Sequence, residues 1–399
     1  MDRREFLKKA GIGGAGIALG LSGASAFFAK ETGDRKKQID GDEKISFYGK
    51  HQAGITTAMQ SHCYLVVLDL HSTDREEVIQ MFKDWTDYSQ KLVDGVLVNE
   101  NSKNKLLPSP DTGETMGLNP YRLTLTFGVS ASFLKKMGLE KKRPKAFRDF
   151  PPFAREQLKE NYTGGDIVIQ ACADDDQVCF HAVRNLVRKG RQVVTMKWSQ
   201  SGFAAIGDRL ETPRNLFGFK DGTANDTTEE RYKEVVWADS KDWMKEGSYM
   251  AVRRIQMFLE TWDRTSLQEQ EFTFGRYKES GAPLGQKNEF DPVDLDLKDE
   301  NGEPVIPVDS HVRLAKEAGV PIFRRSYSYS SGIDPISGQF DTGLLFIAFQ
   351  KDPEQFIKIQ NSLGNDDKMN EYITHVGSGL FACFAGVKKG EYIGQALME

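Results

Sequence analysis

Cysteine is scarce in this sequence and never paired. Cys63, Cys172, Cys179 and Cys383 are the four in 399 residues. None stands in a Cys-x-x-Cys arrangement, and the spacing of Cys172 and Cys179 matches no common zinc pattern. A cysteine-built structural zinc site is thereby excluded. All four are read as free thiols, with a disulfide left open by the oxidising destination argued below. Excess positive charge is also missing. The formal charge is −5, and the segment up to Ala26 holds Arg3, Arg4, Lys8 and Lys9 against Asp2 and Glu5, so the remainder is more acidic still. Nucleic acid is excluded as a partner on that ground. Histidine is limited to His51, His62, His71, His181, His311 and His375, each of which alone reads first as a surface or core residue. The apolar stretch from Ala10 to Phe28 is interrupted by Gly11, Gly13, Gly14, Gly16, Gly20 and Gly23. It is barely long enough to span a bilayer, and a membrane anchor there stands only as an alternative. What the chain does have is 39% hydrophobic and 28% charged residues with 25 phenylalanines, the make-up of packed domains rather than disorder. Its length allows two or three of them.

The N-terminus reads as an address. Residues 2–9 are Asp-Arg-Arg-Glu-Phe-Leu-Lys-Lys, followed by the glycine-rich apolar segment and the small-residue site Ala24-Ser25-Ala26. Paired Arg3 and Arg4 with Phe6 and Leu7 behind them make a twin-arginine export signal over residues 1–29, with a charged linker over 30–44. The destination is periplasm or cell surface and medium. Because that route carries proteins already folded, a bound cofactor is expected.

Beyond the linker, strands and helices alternate. His62–Leu70 is an apolar run of strand length, and Thr73–Leu92 is a helix with Ser72 or Thr73 as cap and Val78, Met81, Phe82 and Trp85 on one face. Leu123–Phe127, a helix near Ser130–Met137, Asp166–Ala171, a helix Asp175–Arg188 and Gln192–Trp198 continue the pattern. A second copy follows in Tyr249–Met257, a helix near Leu267–Gly275, Gly343–Phe349, a helix Pro353–Leu363 and Gly379–Phe384. The expected fold class is α+β, two ferredoxin-like halves of the dimeric α+β barrel type, divided as 45–211 and 212–399. The irregular stretches Thr212–Lys241 and Lys278–Ser331 are of the length that in a compact chain is usually functional.

Three segments in the second half carry chemistry. In Asn215-Leu-Phe-Gly-Phe-Lys-Asp-Gly-Thr-Ala-Asn225, Asp221 stands between Gly218 and Gly222, which is either an ordinary Asp-Gly turn or a backbone shaped to approach a ligand. In Val308-Asp-Ser-His-Val-Arg-Leu-Ala315, His311 and Arg313 open a helix, a candidate neutral imidazole with a cation nearby. In Ile322-Phe-Arg-Arg-Ser-Tyr-Ser-Tyr-Ser330, Arg324 and Arg325 are either a solvated basic turn or a fixed cation for developing negative charge.

Together with Asp341-Thr-Gly-Leu-Leu-Phe-Ile-Ala-Phe349, these motifs, in this order, resemble the dye-decolorizing peroxidase family, closest to its twin-arginine-exported, iron-transport-associated subgroup. The resemblance runs over essentially the whole chain. It implies a haem-b peroxidase, one haem per chain held mainly by the C-terminal half. It puts the proton-relaying carboxylate on Asp221, the axial haem-iron ligand on His311 and the distal arginine on Arg324. Gly222, Thr223 and Ala224 fall on the stretch that meets the haem edge, and Leu344 and Phe346 on the apolar wall of the peroxide pocket. Arg313 and Lys316 are assigned to the haem propionates, although Lys316-Glu317-Ala318 departs from the Asn-Pro-Arg of close relatives and puts that part in doubt. The implied partners are hydrogen peroxide, small electron donors such as dyes, phenols or Fe(II), or haem itself, and an iron permease system, with a homo-oligomer left open. Electrons would return at the haem edge or through surface aromatics such as Trp237, Trp243, Trp262, Tyr327 or Tyr329. A distal carboxylate of ordinary pKa, about 4, implies an acidic optimum. The alternatives are a deferrochelatase that takes iron from haem and leaves the porphyrin intact, and a haem carrier without catalysis.

Overall fold

In the computed structural model of the protein, the described residues are 41–399 except 101–102 and 207–211. The export signal and most of the linker lie outside them. No helix among the described residues is long and apolar enough to cross a membrane.

The first half supplies strands β1 (His62–Leu70), β2 (Thr124–Val129), β3 (Ile167–Ala173) and β4 (Val194–Phe203). The second supplies β5 (Ser248–Met257), β6 (Phe323–Arg324), β7 (Tyr327–Ile333), β8 (Phe340–Gln350) and β9 (Ile373–Cys383). Neighbours run β5-β9-β2-β3-β1-β4-β7-β8-β6, and β5 also pairs with β8. Each half keeps the antiparallel ferredoxin-like order, β2-β3-β1-β4 and β9-β5-β8-β7, and the β2–β9 and β4–β7 pairings join them edge to edge. The sheet closes into a barrel, so neither half leaves an unpaired edge at those strands. Within the second half, β5 and β8 approach closely. A Cβ on Gly343 would lie 1.8 Å from the Ile255 carbonyl oxygen, which is why that position on β8 carries glycine.

Alternation along the strands separates two environments. Cys63, Leu65 and Val67 of β1, Tyr327 and Tyr329 of β7, and Leu345, Ile347 and Phe349 of β8 fill the barrel interior. On the outside of the first half, Val66, Leu68, Phe127 and Ile169 pack against α1 (Arg75–Val93) and α2 (Asp176–Gly190). Asp74 caps α1, accepting from the amides of Glu76 and Glu77 at 2.9 and 3.0 Å. The cap expected from Ser72 or Thr73 is thus one or two residues late, since Ser72 Oγ instead donates to Glu77 Oε2. Over the second half lie α3 (Leu267–Phe274), α4 (His311–Glu317) and α5 (Pro353–Leu363). The last starts with a capping box between Asp352 and Gln355 and a proline in its first turn. The strand β7 starts inside the stretch Lys278–Ser331, which was expected to be irregular, and runs two residues past it. It supplies the second strand of the repeat that the sequence reading had left unfilled.

Candidate active site

The loop carrying Asp221 is built by its own side chains. Asn215 Oδ1 accepts from the amides of Phe217 and Phe219, while Arg214 donates to the Gly218 and Lys278 carbonyls at 2.7 and 2.6 Å. Gly222 sits at φ 109°, a conformation open to glycine and strained for other residues, and the chain there turns away directly behind Asp221. Glu289 grips the loop on both sides of that residue, accepting from Lys220 Nζ and from Thr223 Oγ1. Burial pushes the Glu289 carboxyl up, but Lys220 and the hydroxyls of Thr212 and Thr223 outweigh it and leave it below the ordinary range.

Asp221 Oδ1 accepts a hydrogen bond from Arg324 Nη2, and Asn215 Nδ2 stands 3.5 Å from its other oxygen. Arg324 is fixed in turn by Asn225, whose amide side chain donates to the Arg324 carbonyl (2.6 Å) and accepts from its backbone N–H (2.9 Å). Its guanidinium lies 5.5 Å from the ring centroid of Phe346. The carboxylate and the cation, separated by 103 residues, are therefore one unit.

His311 is the first residue of α4, and its Nδ1 is 2.7 Å from Oδ2 of Asp367, a buried carboxylate. With Nδ1–H given to Asp367, Nε2 is the ring nitrogen whose lone pair is left unspent. The loop with Asp221 and the segment with Asp367 are tied together by one aromatic cluster. Phe217 and Phe219 of the former join Met369 and Tyr372 of the latter around Trp262, with Leu344 against them.

Whether these residues suit a haem is testable on the side chains themselves. Leu344 and Phe346 alternate on the outer face of β8 and, like Leu216, Phe274 and Ile322, are only partly buried. That apolar surface suits a flat apolar ligand. Arg324 Nε is buried without a hydrogen-bond partner, a donor directed at something other than protein. The residues fit the group.

The structure engages or turns away the two cations assigned to the propionates. Arg313 spends its guanidinium on the carbonyls of Ile306 (3.0 and 2.9 Å) and Leu295 (2.8 Å), so it staples the loop before α4. Lys316 is exposed, and five residues along a helix place it about 140° around α4 from His311. Ala224 lines a cleft of about 380 Å³ with Asp226, Tyr232, Ile322 and Phe323. The aromatics named as surface relays are all buried. Trp237 is stacked on half-buried His51 at 3.7 Å. The residues that sequence reasoning missed are Asn225, Glu289 and Asp367. Asn225 ends the quoted motif, whereas nothing local marks the other two.

His375 lies under this site, its Nδ1 accepting from buried Arg253 Nε at 3.1 Å. Burial, then the charge of Arg253, pushes its pKa down to about 3. Between about pH 6.5 and 3 the unfolded chain thus binds a proton that the folded chain refuses, and stability falls as pH falls across that window. The loss is roughly 1.4 kcal/mol per pH unit, or roughly 2–3 kcal/mol at pH 4.5. In urea unfolding followed at pH 7 and 4.5, His375→Asn is expected to lose correspondingly less than the parent. Equal losses would refute this.

A closed α+β barrel whose second half presents a carboxylate-backed histidine and a carboxylate–arginine pair defines a class, the haem-dependent peroxidases. Residues 52–204 match the Dyp-type peroxidase N-terminal domain and residues 212–388 the C-terminal one. The chain belongs to the Dyp-type peroxidase family. It is 37% identical over 421 aligned positions to a deferrochelatase of Escherichia coli (strain K12) and 36% over 417 to one of Yersinia pseudotuberculosis, matches covering all of this chain and 97% and 94% of those proteins. It is similar to ferric DtpA from Streptomyces lividans (TM-score 0.83, 37% identical, 90% of this chain and 98% of that one). It is equally similar to a DyP-type peroxidase from Streptomyces coelicolor (TM-score 0.84, 37% identical, the same coverage).

Proposed function

We propose that this chain is an exported haem-b peroxidase, one haem per chain, that uses hydrogen peroxide to oxidise small donors in the service of iron uptake. The observation that carries the reading is the Asp221–Arg324 unit with Arg324 Nε unspent. His311 Nε2 would hold the iron, and Leu344 and Phe346 would line the peroxide side. When bound, the haem supplies an iron centre that takes oxidising equivalents from peroxide and passes them to donors. Asp221 takes the proton from one peroxide oxygen and returns it to the other, which leaves as water. Arg324 offsets the negative charge that grows as the O–O bond lengthens, its position held by Asn225 rather than by the reaction. Asp367 holds the imidazole in one tautomer and orientation. Gly222 and Thr223 keep the Asp221 loop in place, while the cleft beside Ala224 gives donors an approach. The twin-arginine segment at 1–29 and the domain division at 211/212 belong to this reading, as does a permease partner at the membrane.

Release of iron from haem with the porphyrin intact is the second reading, favoured because the curated relatives quoted above are named for it. Product analysis separates the two: iron-free porphyrin supports extraction, and oxidised donor alone supports peroxidase chemistry. The founding test is an absorption spectrum of the purified protein and of His311→Ala, with and without peroxide in acid. A Soret band that shifts on adding peroxide, and is lost or altered in the variant, is expected. A colourless protein that haem cannot reconstitute overturns the proposal.

A further inference from the structure

Behind the site, on the barrel side of the turn that follows β6, lies chemistry that the peroxidase reading leaves unused. Arg324 faces Asp221, and the next residue, Arg325, turns into the barrel, where it is 3% exposed. It donates to the Thr57 carbonyl at 2.5 Å and to Gln60 Oε1, its Nε has no partner, and no carboxylate pairs with it among the described residues. A buried cation without a counter-charge is costly, so an anion is expected beside it.

The groups facing it from the surrounding strands are Cys63 of β1, Cys172 of β3 and Tyr327 of β7, with Tyr232 farther out, while Cys179 of α2 bears on the two cysteines only. Cys63 and Cys172 are direct cross-strand partners in the β1–β3 ladder. Opposed residues of an antiparallel pair have Cα atoms about 4.5–5.5 Å apart, within disulfide reach. Tyr327 Oη donates to Cys172 Sγ at 3.5 Å. Burial pushes the Cys172 thiol up, but hydrogen bonds from Cys63 and Tyr327 and the charge of Arg325 reverse this and bring it to about 6. Cys63 goes the other way, raised by burial and by its neighbour Cys172. The hydroxyl of Tyr327 is placed on Cys172 and not on Cys63, which makes Cys172 the better-supported thiolate of the two.

We propose that Cys172 and Cys63 form a peroxide-reactive thiol pair, a redox-modification site inside the barrel activated by Arg325 and distinct from the haem site. The Cys172 thiolate attacks one peroxide oxygen and the O–O bond breaks. The other oxygen leaves with a proton as water, and Cys172 becomes a sulfenic acid. The Cys63 sulfur then displaces the hydroxyl, forming the S–S bond and releasing a second water. In sum, two thiols and one hydrogen peroxide give a disulfide and two waters, with the sulfurs giving up two electrons and the peroxide oxygens taking them. The pair would consume peroxide that escapes turnover one strand away.

The test is thiol mapping on the haem-loaded protein. After exposure to excess hydrogen peroxide, the chain is denatured in N-ethylmaleimide, digested and weighed. Cys63 and Cys172 should leave the alkylated pool together as one cross-linked peptide, with Cys179 and Cys383, equally buried, still alkylated. Arg325→Met should slow that loss by about tenfold or more, as the thiolate fraction falls. Cys63→Ser, which keeps the cation, should instead leave Cys172 trapped by dimedone as the sulfenic acid. Four alkylated thiols in the peroxide-treated parent would overturn the proposal, as would oxidation of Cys179 or Cys383 alongside Cys172, or of Cys172 without linkage to Cys63.

Discussion

Asp221→Asn is expected to lower kcat/KM for hydrogen peroxide by about 10²–10⁴-fold while leaving haem binding unchanged. The amide keeps the shape of the carboxylate and can still accept from Arg324 Nη2, so the loop between Asn215 and Asn225 keeps its hydrogen bonds. What it cannot do is receive a proton from peroxide and hand it on. The loss should therefore appear in the peroxide dependence and not in the KM for the donor, which approaches elsewhere. Replacing Arg324 by Leu removes the other member of the unit. Because the two act together, the double variant should be little worse than the more damaged single one, not the product of both losses. Stopped-flow rates of peroxide consumption on the haem-loaded single and double variants measure this. Full activity in Asp221→Asn would move the proton relay to another group and remove the basis of the proposed mechanism.

The fold was legible in the sequence wherever a face repeats. His62–Leu70 and Pro353–Leu363 lie where the apolar pattern and the proline-containing start of the helix put them, with those same bounds. The strand Tyr327–Ile333 was not read as one, although Tyr327 and Tyr329 point inward at period two. The intervening serines and the two arginines before it read as loop chemistry. Barrel closure is a property of pairings such as Gly128 with Cys383 and Phe203 with Ser328, which no local pattern encodes.

The site divides along the same line. Asp221, His311 and Arg324 stand in motifs dense enough to be read in place. Arg313 and Lys316 were assigned by charge and proximity in sequence, but helix geometry and backbone carbonyls decide where a cation next to a histidine points. Arg313 is absorbed by Ile306 and Leu295. Cys172 shows the same limit in reverse. Cys63 reaches it across the β1–β3 ladder, whereas Arg325, in the turn between β6 and β7, and Tyr327 of β7 come from the other half, and only the joining of the two halves makes them neighbours.

Asp367 is the strongest instance, and it makes the second large prediction. It lies 56 residues from His311 and has no motif around it, yet its buried carboxylate receives the imidazole Nδ1–H at 2.7 Å. A negative partner at Nδ1 makes Nε2 a stronger donor to a metal and holds the ring from turning. Asp367→Asn keeps a hydrogen-bond acceptor of the same size but removes the charge. It is expected to reduce peroxide turnover or haem affinity by about 10–100-fold, with a shifted ferric spectrum and a raised reduction potential. Asp367→Ala is less clean, because Oδ1 also accepts from the Met369 amide at 2.9 Å and caps the short turn there. It should lose stability as well as activity. Asp367→Glu, with the charge kept and the reach changed, separates the terms: a potential near that of the parent with slower turnover would assign charge to the potential and geometry to the rate. An unchanged spectrum and potential in Asp367→Asn would mean that His311 does not bind the iron, because a metal-bound imidazole cannot be indifferent to the charge on its other nitrogen.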